Sequence, residues 1–292
     1  MSHGYLARLA DRSAAVGTVL CLGVDPDPAA LPDGFPRDVA GIEAFARLLI
    51  EAAAPFAAAV KPNLAFFEAF GSAGLAALER VRAAVPSGVP VVIDAKRGDI
   101  GTTSARHAAA LYDALGADAI TISPYLGEDA IAPLLERLDR LAYVLCRTSN
   151  PRAELQGLEV AAGDGEPAEP LYARVARRVA HWGPGATVGL VVGATAPAEL
   201  RDIRSIAPGL PFLVPGVGAQ GGEIDAVLEA GPASAQPAGG GHGGGLLVNV
   251  SRGIASAGAT PAEPGPAGQV LDLGERLAER ARTWGARLPV LR

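Results

Sequence analysis

The stretch "VVIDAKRGDIGTT", residues 91–103, changes from apolar to charged within a few positions. Its first residues are typical of a buried strand. Side chains alternate along a strand, so Asp94 and Lys96 are expected on one face, while Arg97 points away from it. Asp99 falls in the loop that follows. The stretch therefore predicts a buried strand that brings an acid and a base together at its carboxyl end.

The same change from an apolar run to polar residues recurs along the 292 residues of the chain. Between the runs lie segments with helical spacing, such as 41–53, 74–85, 103–116 and 131–142. Apolar strands that alternate with helices indicate a parallel sheet, and eight such units match the size of a (β/α)8 barrel. A doubly wound open sheet is the alternative. The predicted strands are "TVLCLGVD", "AAAVKPN", "VVIDAK", "AITISP", "AYVLCR", "TVGLVVG", "PFLVPGV" and "LLVNVS".

Charged side chains lie at or just after the carboxyl ends of these predicted strands. Barrel active sites are built at that face, so this distribution favours the barrel over the open sheet. The residues concerned are Asp25, Lys61, Asp94, Lys96, Arg147 and Arg252.

Lys61 closes the second predicted strand, and a barrel places it beside Asp94 on the third. A buried ion pair between Asp94 and Lys96 is the structural alternative to a functional site. A longer row of alternating charges is costly to desolvate and is seldom kept for stability alone. Opposite neighbours hold each lysine protonated and each carboxyl ionised.

Such a row of charges has a use in decarboxylation. A fixed carboxylate ~4 Å from a substrate carboxylate raises the ground-state energy by about 4 kcal/mol at an effective dielectric of ~20. A neighbouring ammonium group stabilises the carbanion that remains when CO2 leaves, and can then protonate it. The sequence contains no dinucleotide fingerprint, Walker loop or clustered His/Cys set, so no cofactor is expected.

Two glycine-containing loops are expected to bind an anion. "PGVGAQGG", residues 215–222, follows the seventh predicted strand, and "SRGI", residues 251–254, follows the eighth. These are the loops in which barrels commonly bind phosphate, because glycines let backbone N–H groups approach the anion and Arg252 adds a charged fork. Ordinary glycine-rich turns are the alternative. The expected ligand is a monophosphate ester.

The composition narrows the class of partner. A net charge of -6 and a pI of about 5.3 give no general attraction to nucleic acid or to an anionic membrane. Cys21 and Cys146 lie in apolar runs, as expected for inert thiols in a reduced compartment, and no membrane-spanning segment is visible. We therefore expect a cytoplasmic protein.

The chain is expected to form one domain over residues 1–292. Two segments interrupt the repeating pattern. Residues 151–170 follow the fifth strand, on the side of the active site. Residues 231–245 are glycine-rich, precede the eighth strand, and are expected to form a flexible insertion on the opposite rim.

These motifs resemble the orotidine 5′-phosphate decarboxylase family, in its bacterial subgroup with the longer chain. The resemblance covers most of the chain, and the combination of "DAKRGDIGTT", "PGVGAQGG" and an Arg-containing last loop is its most specific part. The matching motifs are "LCLGVDPDP", "VKPNLAFFEAFG", "VIDAKRGDIGTT", "ITISPYLGED", "LCRTSNP", "GLVVGAT", "LVPGVGAQGG" and "VNVSRGI".

The resemblance implies a dimeric (β/α)8 barrel that decarboxylates orotidine 5′-monophosphate (OMP) to uridine 5′-monophosphate (UMP). Lys96 would protonate C6 of the pyrimidine, and Asp94 would face the departing CO2. Lys61 would orient Asp94 and a ribose hydroxyl. Asp99 and Thr103 would reach across the interface into the partner's site.

The resemblance also implies a set of substrate-binding residues. Asp25 would contact the ribose, as would Thr103, and Ser149 would contact the pyrimidine ring. Pro215, Gln220 and Arg252 would bind the substrate, the last two through its phosphate.

Three other functions remain open at this point. A metal-dependent sugar-phosphate decarboxylase or synthase shares the D-x-K-x-x-D pattern, and Glu68 is the nearby acid that could serve as an extra ligand. Schiff-base chemistry at Lys96 or Lys61 is disfavoured by the flanking acids, because an imine-forming lysine needs a lowered pKa. A non-catalytic phosphate-binding barrel would bind nucleotide without turnover.

Overall fold

The barrel wall consists of eight parallel strands in one sheet. The protein is described here from a computed structural model, which covers residues 4–161, 167–218, 221–258 and 272–291. The strands are β1 (Leu20–Val24), β2 (Ala59–Pro62), β3 (Val92–Arg97), β4 (Ala119–Ile122), β5 (Leu141–Arg147), β8 (Val188–Val192), β9 (Phe212–Val214) and β10 (Leu247–Val250). Their order in the sheet is β2-β1-β10-β9-β8-β5-β4-β3.

The two end strands of this order meet and close the sheet. Parallel bridges join Val60 to Val91 and Asn63 to Asp94, and the Val60 amide donates to the Pro90 carbonyl at 2.9 Å. All eight predicted strands are present, and the prediction of a barrel is confirmed. The open doubly wound sheet is therefore wrong.

Helices connect successive strands and cover the outside of the barrel. The predicted helix at 131–142 is shorter than its spacing indicated, because Leu141 and Ala142 belong to β5 and the chain must turn before them. The helices are α1 (Tyr5–Val16), α2 (Val39–Ala53), α3 (Ala65–Glu68), α4 (Gly71–Ala83), α5 (Gly101–Ala108), α6 (Glu128–Leu135), α7 (Leu171–Val179), α8 (Pro197–Ile206), α9 (Ile224–Ala230), α10 (Arg252–Ala255) and α11 (Leu273–Arg287).

The apolar residues form two layers. The larger packs the outer faces of the strands against the helices. The smaller fills the amino-terminal half of the barrel interior, where Tyr5 from α1 meets Tyr143 with their hydroxyls 3.1 Å apart. Arg8 of α1 pairs with Asp118 just before β4, so α1 covers the amino-terminal mouth. This plug leaves the carboxyl-terminal mouth as the open end of the barrel.

The two interrupting segments have defined courses where they are described. Residues 151–170 include two short antiparallel strands, β6 (Glu159–Val160) and β7 (Glu169–Pro170), outside the barrel sheet. In the glycine-rich segment 231–245, the amides of Ser234 and Ala235 donate to the Pro208 carbonyl at 3.0 and 3.1 Å. Ala233 and Ala238 are buried. The flexibility of this segment in solution stays a prediction.

None of the described helices is long and apolar enough to span a membrane.

Candidate active site

A cavity of about 310 Å³ opens at the carboxyl ends of the strands. Residues from all eight barrel strands or the loops after them contribute to its wall, as expected for a barrel active site. It is lined by Asp25, Lys61, Asn63, Asp94, Lys96, Thr121, Leu145, Thr148, Ser149, Asn150, Val191, Leu213, Pro215, Gly216, Val217, Asn249, Ser251, Arg252 and Gly253.

An acid between two bases lies on the β2–β3 side of this cavity. Lys61 Nζ is 2.8 Å from Asp94 Oδ2, and Lys96 Nζ is 2.6 Å from Asp94 Oδ1. The side chains of Lys61 and Asp94 are 5% and 12% exposed, whereas that of Lys96 is 51% exposed. The array thus has a buried anchor in Lys61 and an accessible ammonium group in Lys96.

Electrostatics keep the buried members of this array charged. Burial alone would raise the pKa of Asp94, but the two lysines outweigh it and hold that pKa well below its usual range. Burial would likewise lower the pKa of Lys61, but Asp94 and Asp25 raise it above its ordinary value. Asp94 is therefore a carboxylate and Lys61 an ammonium ion at neutral pH.

The backbone is irregular at Lys96. This residue has φ +48°, a left-handed conformation that is uncommon for a residue with a side chain, and the register between β3 and β4 shifts between Ile93 and Arg97. The amides of Ala95 and Lys96 both donate to Thr121 Oγ1 at 3.0 Å. Two amides that the irregular strand would otherwise leave unpaired are thus satisfied by one side chain.

Thr121 also contacts the array directly. Its hydroxyl donates to Asp94 Oδ1 at 2.8 Å, so a single oxygen links the carboxylate to the backbone of Lys96. Thr121 is not among the site residues expected from the sequence. The available signal was a threonine at an inward position of the otherwise apolar strand "AITI".

The arginines that end β3 and β5 point out of the cavity. Arg97 forms an ion pair with Glu68 at the end of α3, as expected for a residue on the opposite face from Asp94. Arg147 lies 3.4 Å from Glu199 of α8. Neither arginine lines the cavity.

Four of the expected substrate-binding residues line the same cavity as the array: Asp25, Ser149, Pro215 and Arg252. Asp25 Oδ1 is buried and has no hydrogen-bond partner within the described part of the chain. Gln220 lies outside the described residues.

Asp99 and Thr103 do not line the cavity of their own chain. Asp99 lies between β3 and α5, where its backbone amide and carbonyl both bond to the hydroxyl of Ser104. Thr103 is half-buried in the first turn of α5. Their expected role across a subunit interface stays a prediction.

Polar lining residues that sequence reasoning missed include Asn63 and Asn249. Asn63 follows the predicted site residue Lys61 by two residues, and Asn249 precedes Ser251, the first residue of the predicted loop 251–254, by two. Asn249 Oδ1 is buried and, within the described residues, unpartnered. Period-two alternation from Lys61 could have found Asn63, and alternation from the start of the loop 251–254 could have found Asn249.

The two glycine-containing loops lie side by side at the cavity mouth. Gly216 and Gly218 have φ +99° and +82°, conformations that disfavour any residue with a Cβ. The Gly222 amide donates to the Gly216 carbonyl at 3.1 Å and folds the first loop back on itself. Arg252 is exposed at the start of α10, on the neighbouring strand's loop. The loops thus place glycines and a guanidinium group on one side of the cavity.

The fold and the site define an α/β-barrel protein with a lysine–carboxylate–lysine array at the carboxyl-terminal face, beside two glycine-containing loops. Residues 18–264 match the sequence profile of the orotidine 5′-phosphate decarboxylase / HUMPS family. The chain belongs to this family.

Individual relatives agree with this assignment. The orotidine 5′-phosphate decarboxylase of Herpetosiphon aurantiacus is 48% identical over 258 residues, which cover 86% of this chain and 91% of that protein. The orotidine 5′-phosphate decarboxylase of Thermomicrobium roseum is 46% identical over 286 residues, with 97% and 93% covered. The structure of Leishmania donovani OMP decarboxylase superposes with a TM-score of 0.77 at 38% identity, over 97% of this chain and 96% of that one.

Proposed function

We propose that this protein decarboxylates OMP to UMP and CO2 without a cofactor, as the last step of de novo pyrimidine nucleotide synthesis. The observation that carries the proposal is the Lys61–Asp94–Lys96 array, with its ammonium group of Lys96 open to a cavity of suitable size. The names of the relatives support OMP as the substrate. Synthesis of UMP from soluble precursors also supports a cytoplasmic location.

The first step is binding with the substrate carboxylate against Asp94. Because Lys61 and Lys96 keep Asp94 ionised, the two carboxylates repel each other. At ~4 Å and an effective dielectric of ~20 this repulsion is about 4 kcal/mol. Departure of neutral CO2 relieves it, so the repulsion raises the ground state more than the transition state.

The second step is protonation of the carbon that has lost CO2. The electron pair of the broken C–C bond stays on C6, where the ammonium group of Lys96 stabilises it. Lys96 then donates a proton to C6, which yields UMP and a neutral amine, and the amine regains its proton from water. The 2.6 Å contact with Asp94 holds Lys96 at the place where CO2 departs.

The other lining residues hold the rest of the nucleotide. The unpartnered Oδ1 of Asp25 can accept a hydrogen bond from a ribose hydroxyl, and Lys61 lies next to it. Ser149 would contact the pyrimidine, and Pro215 would contact the substrate at the start of the first glycine-containing loop. Arg252 would pair with the phosphate, as would Gln220.

A homodimer is part of the proposal. The loop that carries Asp99 continues with Ile100, and the next loop along the sheet carries Tyr125 and Leu126, all three of which are exposed. The two loops are adjacent, because a Cβ on Gly98 would lie 3.0 Å from the Ser123 carbonyl oxygen. This exposed apolar surface lies beside Asp99, which does not line the cavity of its own chain. Such a surface fits a subunit contact, and through that contact Asp99 and Thr103 would enter the partner's site.

The alternatives have weaker support from the same geometry. Glu68, the acid available as an extra metal ligand, is paired with Arg97 away from the cavity. The raised pKa of Lys61 opposes imine formation at that residue.

The absorbance of OMP with purified protein in EDTA tests the proposal. We expect the substrate band to disappear, and we expect Lys96→Ala to show no change under the same conditions. Activity that EDTA abolishes and Mg²⁺ restores would instead favour the metal-dependent sugar-phosphate relatives. Equal activity of the wild-type protein and the Lys96→Ala variant would refute the assigned mechanism.

A further inference from the structure

The two glycine-containing loops contact the same side chain, that of Trp284 in the last turn of α11. A Cβ placed on Gly218, in the loop after β9, would lie 2.8 Å from Trp284 Cη2. A Cβ placed on Gly253, after β10, would lie 2.8 Å from Trp284 Nε1. Both glycines therefore pack against neighbouring atoms along the N–H edge of one indole, and a larger residue at either position would displace it.

The indole also orients one of the loops. Trp284 Nε1 donates to the Gly253 carbonyl at 3.1 Å. Gly253 follows Arg252 directly, and both residues line the substrate cavity on their other side. The hydrogen bond thus fixes the peptide that follows the arginine proposed to bind phosphate.

The indole itself has little freedom to move. Trp284 is 8% exposed, and the guanidinium group of Arg287 lies 4.4 Å from the centre of its ring. Helix α11 is capped at its other end by a capping box between Asp272 and Glu275. A capped helix therefore holds a well-packed ring against two loops that come from neighbouring strands.

We propose that Trp284 is a positioning residue for the phosphate of the nucleotide, because it sets the spacing of the two loops that would bind it. This inference rests on the proposed function and extends it to a residue outside the cavity. Trp284 touches neither the substrate nor the reacting atoms. It acts through Gly218 and Gly253.

The test compares a substrate that carries the phosphate with one that lacks it. We expect Trp284→Leu to lower kcat/KM for OMP by about 100-fold, the cost of misplacing a bound group by about 1 Å. The rate with orotidine, the nucleoside without phosphate, should stay within about twofold of the wild-type rate, because orotidine makes no use of these loops. A purely structural role would lower both rates together.

Two further variants sharpen this comparison. Trp284→Phe keeps a ring against the glycines but loses the N–H donor, so we expect a loss of about fivefold for OMP, as for one neutral hydrogen bond. Trp182→Leu removes the other tryptophan of the chain, which lies beyond α7 and away from the cavity. That control should leave the ratio of the two rates unchanged. An equal fall for both substrates in Trp284→Leu, or no fall for OMP, would overturn the proposal.

A binding measurement covers the case in which Trp284→Leu does not fold or the wild-type protein does not decarboxylate OMP. In Trp182→Phe the fluorescence comes from Trp284 alone, since the chain has 2 tryptophans. Titration with inorganic phosphate should give a saturable change in this fluorescence. UMP added afterwards should displace the phosphate and bring the fluorescence to the value that UMP alone gives. No change at saturating phosphate would refute the role of Trp284, whereas absence of turnover with a normal titration would refute only the proposed function.

Discussion

Asp94→Asn and Lys96→Ala should differ in stability although both remove catalysis. Asp94 is the shared partner of two lysines, and Lys61 on one side of it is only 5% exposed. The substitution Asp94→Asn removes the carboxylate that is ion-paired with this buried ammonium group, and Asp25 is then the acid that remains near it. Loss of one partner of a buried ion pair costs about 3–5 kcal/mol in the free energy of unfolding. At roughly 2–4 °C per kcal/mol, the melting temperature should fall by about 6–20 °C.

Lys96→Ala removes an ammonium group that is 51% exposed, and Asp94 keeps its contact with Lys61 at 2.8 Å. An exposed ion pair contributes only about 0–1 kcal/mol. The melting temperature of this variant should therefore lie within about 4 °C of the wild-type value.

Both variants are compared with the wild-type protein by thermal unfolding at pH 7, without ligand and at one protein concentration, since subunit association would shift the apparent stability. The folded-state pKa of Asp94 lies below its value in the unfolded chain. The stabilisation is then fully present above about pH 4 and is lost only as the pH falls through the folded pKa. Equal melting temperatures for the two variants at pH 7 would refute the division of the array into a buried anchor and an accessible acid.

Four further predictions concern activity. Lys96→Ala should form no UMP yet bind UMP with an affinity within about threefold of wild type in calorimetry, because phosphate and ribose contacts lie elsewhere. Thr121→Val should lower kcat by at least about tenfold, since it leaves two amides unpaired beside Asp94, whereas Thr121→Ser should restore most of kcat. The pKa of Asp94 lies far below neutrality and that of Lys61 far above it, so kcat should be constant between about pH 5 and 8. A sigmoidal change of kcat with pH in that range would contradict the charges assigned to these two residues. A 1:1 mixture of the inactive variants Asp99→Ala and Lys96→Ala should regain about a quarter of wild-type activity through mixed dimers, and no recovery after subunit exchange would exclude a shared site.

The barrel and the centre of its site were predictable because they depend on local periodicity. Apolar runs defined the strands, and alternation placed Asp94 and Lys96 on one face while Arg97 pointed away. The adjacency of Lys61 and Asp94 followed from the barrel topology alone. Closure of the sheet between β2 and β3 confirmed it.

The supporting contacts were not predictable in the same way. The left-handed Lys96 arises from a register shift between strands, which no pattern within β3 indicates. Thr121 matters because its hydroxyl happens to lie where that shift frees two amides. Trp284 reaches Gly218 and Gly253 from more than 30 residues further along the chain, and glycines alone do not tell which side chain requires them.

Metal-independent decarboxylation can be measured with OMP that carries an isotopic label in its carboxyl group. Wild-type protein is incubated with it in the presence of a chelator, and labelled CO2 and UMP are measured in the same sample. We expect equal amounts of the two products, with neither formed by Lys96→Ala. A folded protein that releases no labelled CO2 would contradict this expectation.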